Sequence, residues 1–178
     1  MLKTRYYFLL FACFVGYMFI SGGSFVYGQN TSSDSSGHFA WGYLGLGVGS
    51  LGFEAGGFST GVGFCYQIGK NIFSLRELYI GQIPSEDYPF RGIGDIGFLY
   101  GRIAKASYGF ASISAGISLV SGVRRNYYGF FTVGIPVEAQ LFWTPLAFFG
   151  IGLYGFANLN IEKSFVGALL CIQLGKLR

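Results

Sequence analysis

The sequence predicts an all-β fold, a closed antiparallel barrel of eight transmembrane strands in up-and-down meander order, which follows an N-terminal signal peptide. Three observations support this prediction. The 178 residues are 52% hydrophobic and 11% charged, whereas about a quarter of a soluble domain is charged, so the chain cannot coat a water-facing surface. Glycine supplies 30 residues. Apolar side chains alternate with small or polar ones over most of the chain, and this period of two is typical of β-strands.

The amino-terminal segment has the features of a secretion signal. Lys3 and Arg5 precede the apolar run Tyr6–Ile20, which is shorter than the about 20 residues of a membrane-anchoring helix. Val26 and Gly28 then satisfy the small-residue rule at a cleavage site. Removal of this segment leaves nearly balanced charges, which predicts no nucleic-acid partner. The predicted organisation is a signal peptide at 1–28, a polar leader at 29–38 and a barrel at 39–178.

Two segments carry the alternation most clearly. In Phe58–Ile68 and in Phe131–Trp143, bulky apolar residues occupy every second position, and mostly small or polar residues lie between them. The same period, with more exceptions elsewhere, predicts eight strands separated by turn-forming residues. These strands are Phe39–Ser50, Gly57–Gly69, Ile72–Gln82, Ile93–Ile103, Ser107–Val120, Gly129–Trp143, Ala147–Asn158 and Ser164–Leu177.

The second face of these strands distinguishes a membrane barrel from a soluble sandwich. It consists mostly of Gly, Ala and Ser, which suits a narrow lumen better than a water-facing surface. A transmembrane helix over the uncharged segment Ala139–Ile161 is the alternative, but Thr144-Pro145 and repeated Gly and Asn residues oppose it. Aromatic residues near strand ends are expected in interfacial girdles. They are Trp41, Tyr43, Tyr79, Tyr127, Tyr128, Trp143 and Tyr154, of which Tyr154 also belongs to the inward-facing set.

The carboxy-terminal half carries a resemblance to a known class. Through Thr132–Glu138, Gly150–Asn160 and Gly167–Arg178, the chain resembles the small eight-stranded outer-membrane β-barrels of Gram-negative bacteria, and among them the uncharacterised, Gly- and aromatic-rich barrels of Bacteroidota. The resemblance implies a monomer in the outer membrane that is inserted by the barrel-assembly machinery and contacts outer-membrane lipid and lipopolysaccharide. It implies no particular protein partner.

Polar side chains at inward positions predict a hydrogen-bonded network in the lumen, because ionised groups cannot face lipid cheaply. Its predicted members are Arg76, Glu77, Asp95, Arg102, Glu138, Gln140, Asn158 and Gln173. The alternation around Arg76 and Glu77 is ambiguous, so either of the two is expected to point inward. Glu138 is expected to pair with Arg76 or Arg102. Since side chains fill the interior of an eight-stranded barrel, we expect no conduction.

Charged residues in the longer connections are expected at the surface, where arginine can pair with lipid phosphates. They are Glu86, Asp87, Arg91, Arg124 and Arg125. No metal or cofactor is predicted, because one histidine and two distant mature cysteines lack ligand spacing. Cys65 and Cys171 are expected to be free thiols, because one strand separates them.

These observations favour a non-enzymatic outer-membrane barrel with a structural or surface-interaction role. One alternative is a small lipid-modifying barrel enzyme, which needs a histidine beside a serine, and only His38 is available for it. The other alternative is a narrow pore.

Overall fold

The computed structural model describes residues 38–52, 55–82, 90–124 and 129–177, and they form an eight-stranded sheet. The predicted signal peptide and nearly all of the predicted leader lie outside these ranges. Within them, no helix has the length and apolar composition needed to cross a membrane. The strands are β1 (His38–Leu51), β2 (Ala55–Ile68), β3 (Asn71–Gln82), β4 (Phe90–Ala106), β5 (Gly109–Arg124), β6 (Gly129–Trp143), β7 (Phe149–Asn160) and β8 (Phe165–Lys176).

The sheet is a closed antiparallel barrel with meander order, as predicted. Each strand pairs with the next along the chain, and β8 pairs with β1 from Ala40↔Lys176 to Leu51↔Phe165. Closure leaves no unpaired sheet edge, which is what a β-structure requires in hydrocarbon. We call the end where β1 begins and β8 ends the terminal rim, and the opposite end the loop rim.

Strands β4 and β5 extend further toward the loop rim than the sequence predicts. They remain paired as far as Phe90↔Arg124, with a register shift between Phe90 and Gly92. Backbone hydrogen bonding therefore continues after the apolar alternation has ended. It follows that Arg91 and Arg124 belong to strand ends and not to connections, whereas the predicted surface residues Glu86, Asp87 and Arg125 lie outside the described residues.

The two faces of the sheet differ as the alternation predicts. Large apolar side chains cover the outer face, where Val48 is 68% exposed and Phe131 is 70% exposed. Several inward positions of β1 are glycines, because the neighbouring strand leaves no room for a side chain there. A Cβ at Gly45 would lie 2.3 Å from the Cys171 sulfur, and one at Gly47 would lie 2.0 Å from the Ala168 carbonyl oxygen. The glycine-rich run of β1 thus allows close packing of the barrel wall.

Aromatic rings pack inside the barrel toward the terminal rim. Trp41 contacts Phe110 with a centroid separation of 5.3 Å, and Phe110 stacks on Phe142 at 5.4 Å. Tyr43 packs against Tyr154 at 5.0 Å. Trp41, Tyr43 and Tyr154 are therefore core residues, and their assignment to an interfacial girdle was wrong, because the odd positions of β1 and the even positions of β7 face the lumen.

The remaining girdle residues divide by position. Tyr79 and Trp143 lie exposed on the outer face, as a girdle requires. Tyr127 and Tyr128 lie outside the described residues.

Candidate functional site

The centre of the lumen is organised around Arg76. The even positions of β3 point inward, and the side chain of Arg76 is completely buried there. Its guanidinium group donates a hydrogen bond to the Tyr154 hydroxyl (2.8 Å) and contacts Asp95 Oδ2 at 3.2 Å and Glu138 Oε2 at 3.5 Å. One buried cation is thus shared between two carboxylates from different strands.

Glu138 is the most completely hydrogen-bonded of the buried carboxylates. Its Oε1 atom accepts hydrogen bonds from Ser74 Oγ (2.8 Å) and Gln140 Nε2 (3.0 Å). Its Oε2 atom accepts a hydrogen bond from the Tyr154 hydroxyl and faces Arg76. Every oxygen of this carboxylate therefore has two partners, which offsets the cost of removing an ion from water.

Asp95 forms the part of the network nearer the loop rim. Its Oδ2 atom accepts hydrogen bonds from Asn158 Nδ2 (2.6 Å) and from Arg76, while its buried Oδ1 atom has no partner among the described residues. Asn158 Nδ2 also donates to Ser118 Oγ at 2.7 Å, and Asn160 Nδ2 donates to Asn158 Oδ1 at 3.2 Å. Asn158 consequently links Asp95 to the opposite wall.

Together these side chains form the lumen network, which comprises Ser74, Arg76, Asp95, Ser118, Glu138, Gln140, Tyr154 and Asn158. They come from β3, β4, β5, β6 and β7, so the network ties five of the eight strands to one another. In an interior of low dielectric constant, such polar networks are strong when satisfied and costly when broken. The hydrogen bonds and ion pairs of the lumen network therefore stabilise the barrel by joining strands that are not neighbours in the sheet.

Gln173 and the two cysteines line the lumen beside this network. Gln173 is fully buried, and its side-chain amide has no hydrogen-bond partner among the described residues. Gln140 Nε2 lies 3.9 Å from the Cys65 sulfur. Cys65 and Cys171 are free, and β1 separates them, since Cys65 pairs with Trp41 and Cys171 pairs with Gly45.

Two residues predicted for the lumen lie on the outer face. Glu77 follows the inward-facing Arg76 and so points outward, half-buried, with Val62 and Ile96 as its register partners. Arg102 is exposed near the terminal rim, where it donates a hydrogen bond to Asn71 Oδ1 at 3.2 Å. The partner of Glu138 is therefore Arg76 and not Arg102.

Three network members were absent from the predicted set. Ser74, Ser118 and Tyr154 do not stand out in the sequence, because small and aromatic residues fill many other inward positions as well. Ser74 stands two positions before Arg76 on the same strand, and this spacing is the one sequence signal that places it on the same face.

The described residues offer little for catalysis or metal binding. His38 is exposed at the terminal rim, where its Nδ1 atom lies 2.9 Å from the Tyr66 hydroxyl and its ring stacks on the Tyr66 ring. This geometry gives the imidazole a tyrosine partner where a Ser–His nucleophile would require a serine. Within the described ranges, no group of three or more His, Cys, Asp or Glu side chains is placed to hold a metal ion.

Comparison with solved structures identifies the fold. The barrel is similar to Neisserial surface protein A (NspA), with a TM-score of 0.59 and 14% identity over 80% of this chain and 98% of that chain. It is also similar to Ail, the attachment invasion locus protein of Yersinia pestis, with a TM-score of 0.51 and 10% identity over 78% of this chain and 95% of that chain. This is the fold of the small outer-membrane barrels of Gram-negative bacteria. No protein-family model and no curated protein matches the chain.

Proposed function

We propose that this protein is a non-enzymatic outer-membrane barrel with a structural or surface-interaction role and a filled, non-conducting lumen. The observation that carries the proposal is the lumen network, in which Arg76 on β3 reaches Tyr154 on β7 and Glu138 on β6. Large side chains from facing walls occupy the interior at this level. Toward the terminal rim, the rings of Trp41 and Phe110 extend the same packing.

The character of the outer face supports the membrane location. Its exposed side chains are large and apolar along every strand, which is unfavourable in water and favourable in lipid. The predicted signal peptide, the barrel-assembly machinery, a monomeric state and contact with lipopolysaccharide belong to the same proposal. So does the resemblance of the carboxy-terminal half to Bacteroidota barrels.

The surface-interaction role rests on the connections at the loop rim. NspA is named as a surface protein, and Ail is named as an attachment and invasion protein. By analogy, the predicted loops Ile83–Gly92 and Ser121–Tyr128 would meet partners or lipopolysaccharide. Arg124 and Arg125 would supply positive charge for lipid phosphates there.

Electrical recording tests the filled lumen directly. We expect the purified, folded protein to insert into planar bilayers without producing stable single-channel steps. The matched control is a triple variant, Arg76→Met, Asp95→Asn and Glu138→Gln, which removes every charge of the lumen network but keeps most of its volume. It should also remain silent, because volume and not charge closes the lumen. Stable steps of porin size from the unaltered protein would overturn the proposal.

A further inference from the structure

Every charged residue that the structure describes at the terminal rim is basic. These residues are exposed and lie at or near strand ends: Lys70, Arg102, Lys105 and Lys176. The described acidic residues lie elsewhere, with Asp95 and Glu138 in the lumen, Glu77 halfway along β3 on the outer face, and Glu162 at the loop rim. Four cations therefore share this rim without a described carboxylate beside them.

Two of these cations converge on one aromatic ring. The Lys105 ammonium lies 3.2 Å from the Phe39 ring centroid, and the Lys176 ammonium lies 5.6 Å from the same centroid. Lys105 also donates a hydrogen bond to the Leu177 carbonyl oxygen at 3.0 Å. Because β4 and β8 are four strands apart around the barrel, Lys105 reaches across its mouth to meet the end of β8.

The electrostatic situation of Lys105 agrees with this geometry. Lys105 is the next-to-last residue of β4, and its ammonium contacts Phe39 and Leu177 at the mouth of the barrel, beyond the roughly 9–11 residues of a strand that cross a bilayer. Partial burial lowers the pKa of Lys105 to about 8, and the charge of Lys176 contributes to that lowering. Two like charges held close together are unfavourable unless an anion stands between or beside them.

A phosphate group is the natural complement of this pair. It presents several acceptor oxygens to two flexible ammonium groups, whereas the Leu177 carbonyl accepts from Lys105 alone. Lys176 is exposed on the outer face of β8. On the other side of the barrel, Tyr100 and Phe73 pack together on the outer faces of β4 and β3 near the same rim, and outward-facing aromatic residues of this kind are typical of the headgroup region. We propose that Lys105 and Lys176 bind the phosphate of an anionic phospholipid in the leaflet that meets the terminal rim.

The inference rests on the membrane location given under Proposed function and adds a specific lipid class. A zwitterionic lipid carries its own cation next to the phosphate and would repel the lysine pair, so an anionic headgroup without that cation binds better. Phosphatidylglycerol is the appropriate probe, and phosphatidylcholine with the same acyl chains is its control.

Native mass spectrometry of the folded barrel released from mixed micelles tests this site. We expect one phosphatidylglycerol molecule to be retained in preference to phosphatidylcholine. Lys105→Gln and Lys176→Gln should each weaken this retention about fivefold, the effect of one lysine charge near a lipid surface. Lys70→Gln removes the same charge from the same rim away from Phe39 and should leave retention unchanged. Lys176→Arg keeps the positive charge and should retain the lipid as the unaltered protein does.

Each other outcome overturns the site. Equal retention of both lipids would show that the protein has no preference for the anionic headgroup. Equal losses in all three glutamine variants would show that the overall charge of the rim, and not the lysine pair, retains the lipid. Displacement of the lipid by millimolar inorganic phosphate would assign the pair to a soluble anion. Every variant is first checked for a folded, heat-modifiable band, and Lys176→Gln is the safer variant because Lys105 also donates a hydrogen bond to the Leu177 carbonyl oxygen. A barrel that folds in phosphatidylcholine yet shows no lipid preference refutes this site and leaves the membrane location intact.

Discussion

Replacement of Arg76 by methionine provides the most direct test of the lumen network. The substitution keeps a flexible, unbranched side chain that is shorter than arginine, and it deletes the charge, the hydrogen bond to Tyr154 and the contacts with Asp95 and Glu138. Both carboxylates then stay in the lumen without a cation. We expect the folded barrel to lose stability, because an uncompensated buried charge is strongly unfavourable.

The two ion-pair distances give the magnitude. At 3.2 Å and 3.5 Å, each contact contributes an attraction of about 5 kcal/mol at an effective dielectric constant near 20. Desolvation of the guanidinium group offsets much of this sum. Measured losses on removing one partner of a buried pair indicate a net cost of about 3–5 kcal/mol, a large part of the stability of a domain of this size.

Urea-induced unfolding in phospholipid vesicles, followed by tryptophan fluorescence and by the heat-modifiable gel shift, measures this cost. Arg76→Lys is the first control, and it should lose less because it keeps the charge while giving up the fork geometry. The second control is the neutral triple variant with Asp95→Asn and Glu138→Gln, which should recover most of the lost stability. A loss below about 1 kcal/mol for Arg76→Met, or no recovery in the triple variant, would refute the idea that ion pairs in the lumen network stabilise the barrel.

Three further outcomes are expected. Glu138→Ala should destabilise the barrel by about 2–4 kcal/mol, since it leaves Ser74 and Gln140 without this acceptor and removes one of the two carboxylates that face Arg76, and planar-bilayer recordings should stay silent. Glu77→Leu should stabilise the barrel in vesicles by about 1–2 kcal/mol, because it removes a carboxylate from the lipid-facing wall; a loss of stability would indicate a polar partner at that position. Intact-mass analysis after alkylation of the unfolded, unreduced protein should find Cys65 and Cys171 both modified, and a mass lacking both adducts would contradict the strand order.

The sequence predicts the lumen residues well where one face of a strand is uniformly apolar. Strand β6 is the clearest case, because bulky apolar residues fill its outer positions and Glu138 and Gln140 fall between them. Strand β3 carries apolar residues on both faces, with Ile72 buried and Leu75 exposed, so its pattern cannot place the adjacent pair Arg76-Glu77. Contacts with Asp95 and Glu138 across the lumen favour the orientation in which Arg76 points inward. Because these residues are far from Arg76 in sequence, the local pattern of β3 cannot reveal the contacts.

Arg102 shows a second limit of sequence reasoning. The rule that charged residues avoid the lipid-facing side holds for the middle of a strand. Near a rim, a long side chain can extend to the headgroup region, so an arginine is tolerated on the outer face. The sequence alone did not place Arg102 level with Asn71 at the start of β3, which is what puts it near the terminal rim. The convergence of Lys105 and Lys176 on Phe39 was unpredictable for the same reason, since it depends on closure of the barrel.

The sequence separations within the lumen network bear on the order of assembly. Ser74 and Glu138 are 64 residues apart, and Arg76 and Tyr154 are 78 apart. These contacts form only after the facing walls of the sheet have curled toward each other, so they come late, close to the moment at which β8 meets β1. Side chains that engage after the transition state leave the folding rate unchanged and slow the reverse reaction. The ion pairs of the lumen network would therefore act chiefly on the unfolding rate of the finished barrel. They would determine how long an inserted molecule stays folded and would have little influence on how fast it inserts.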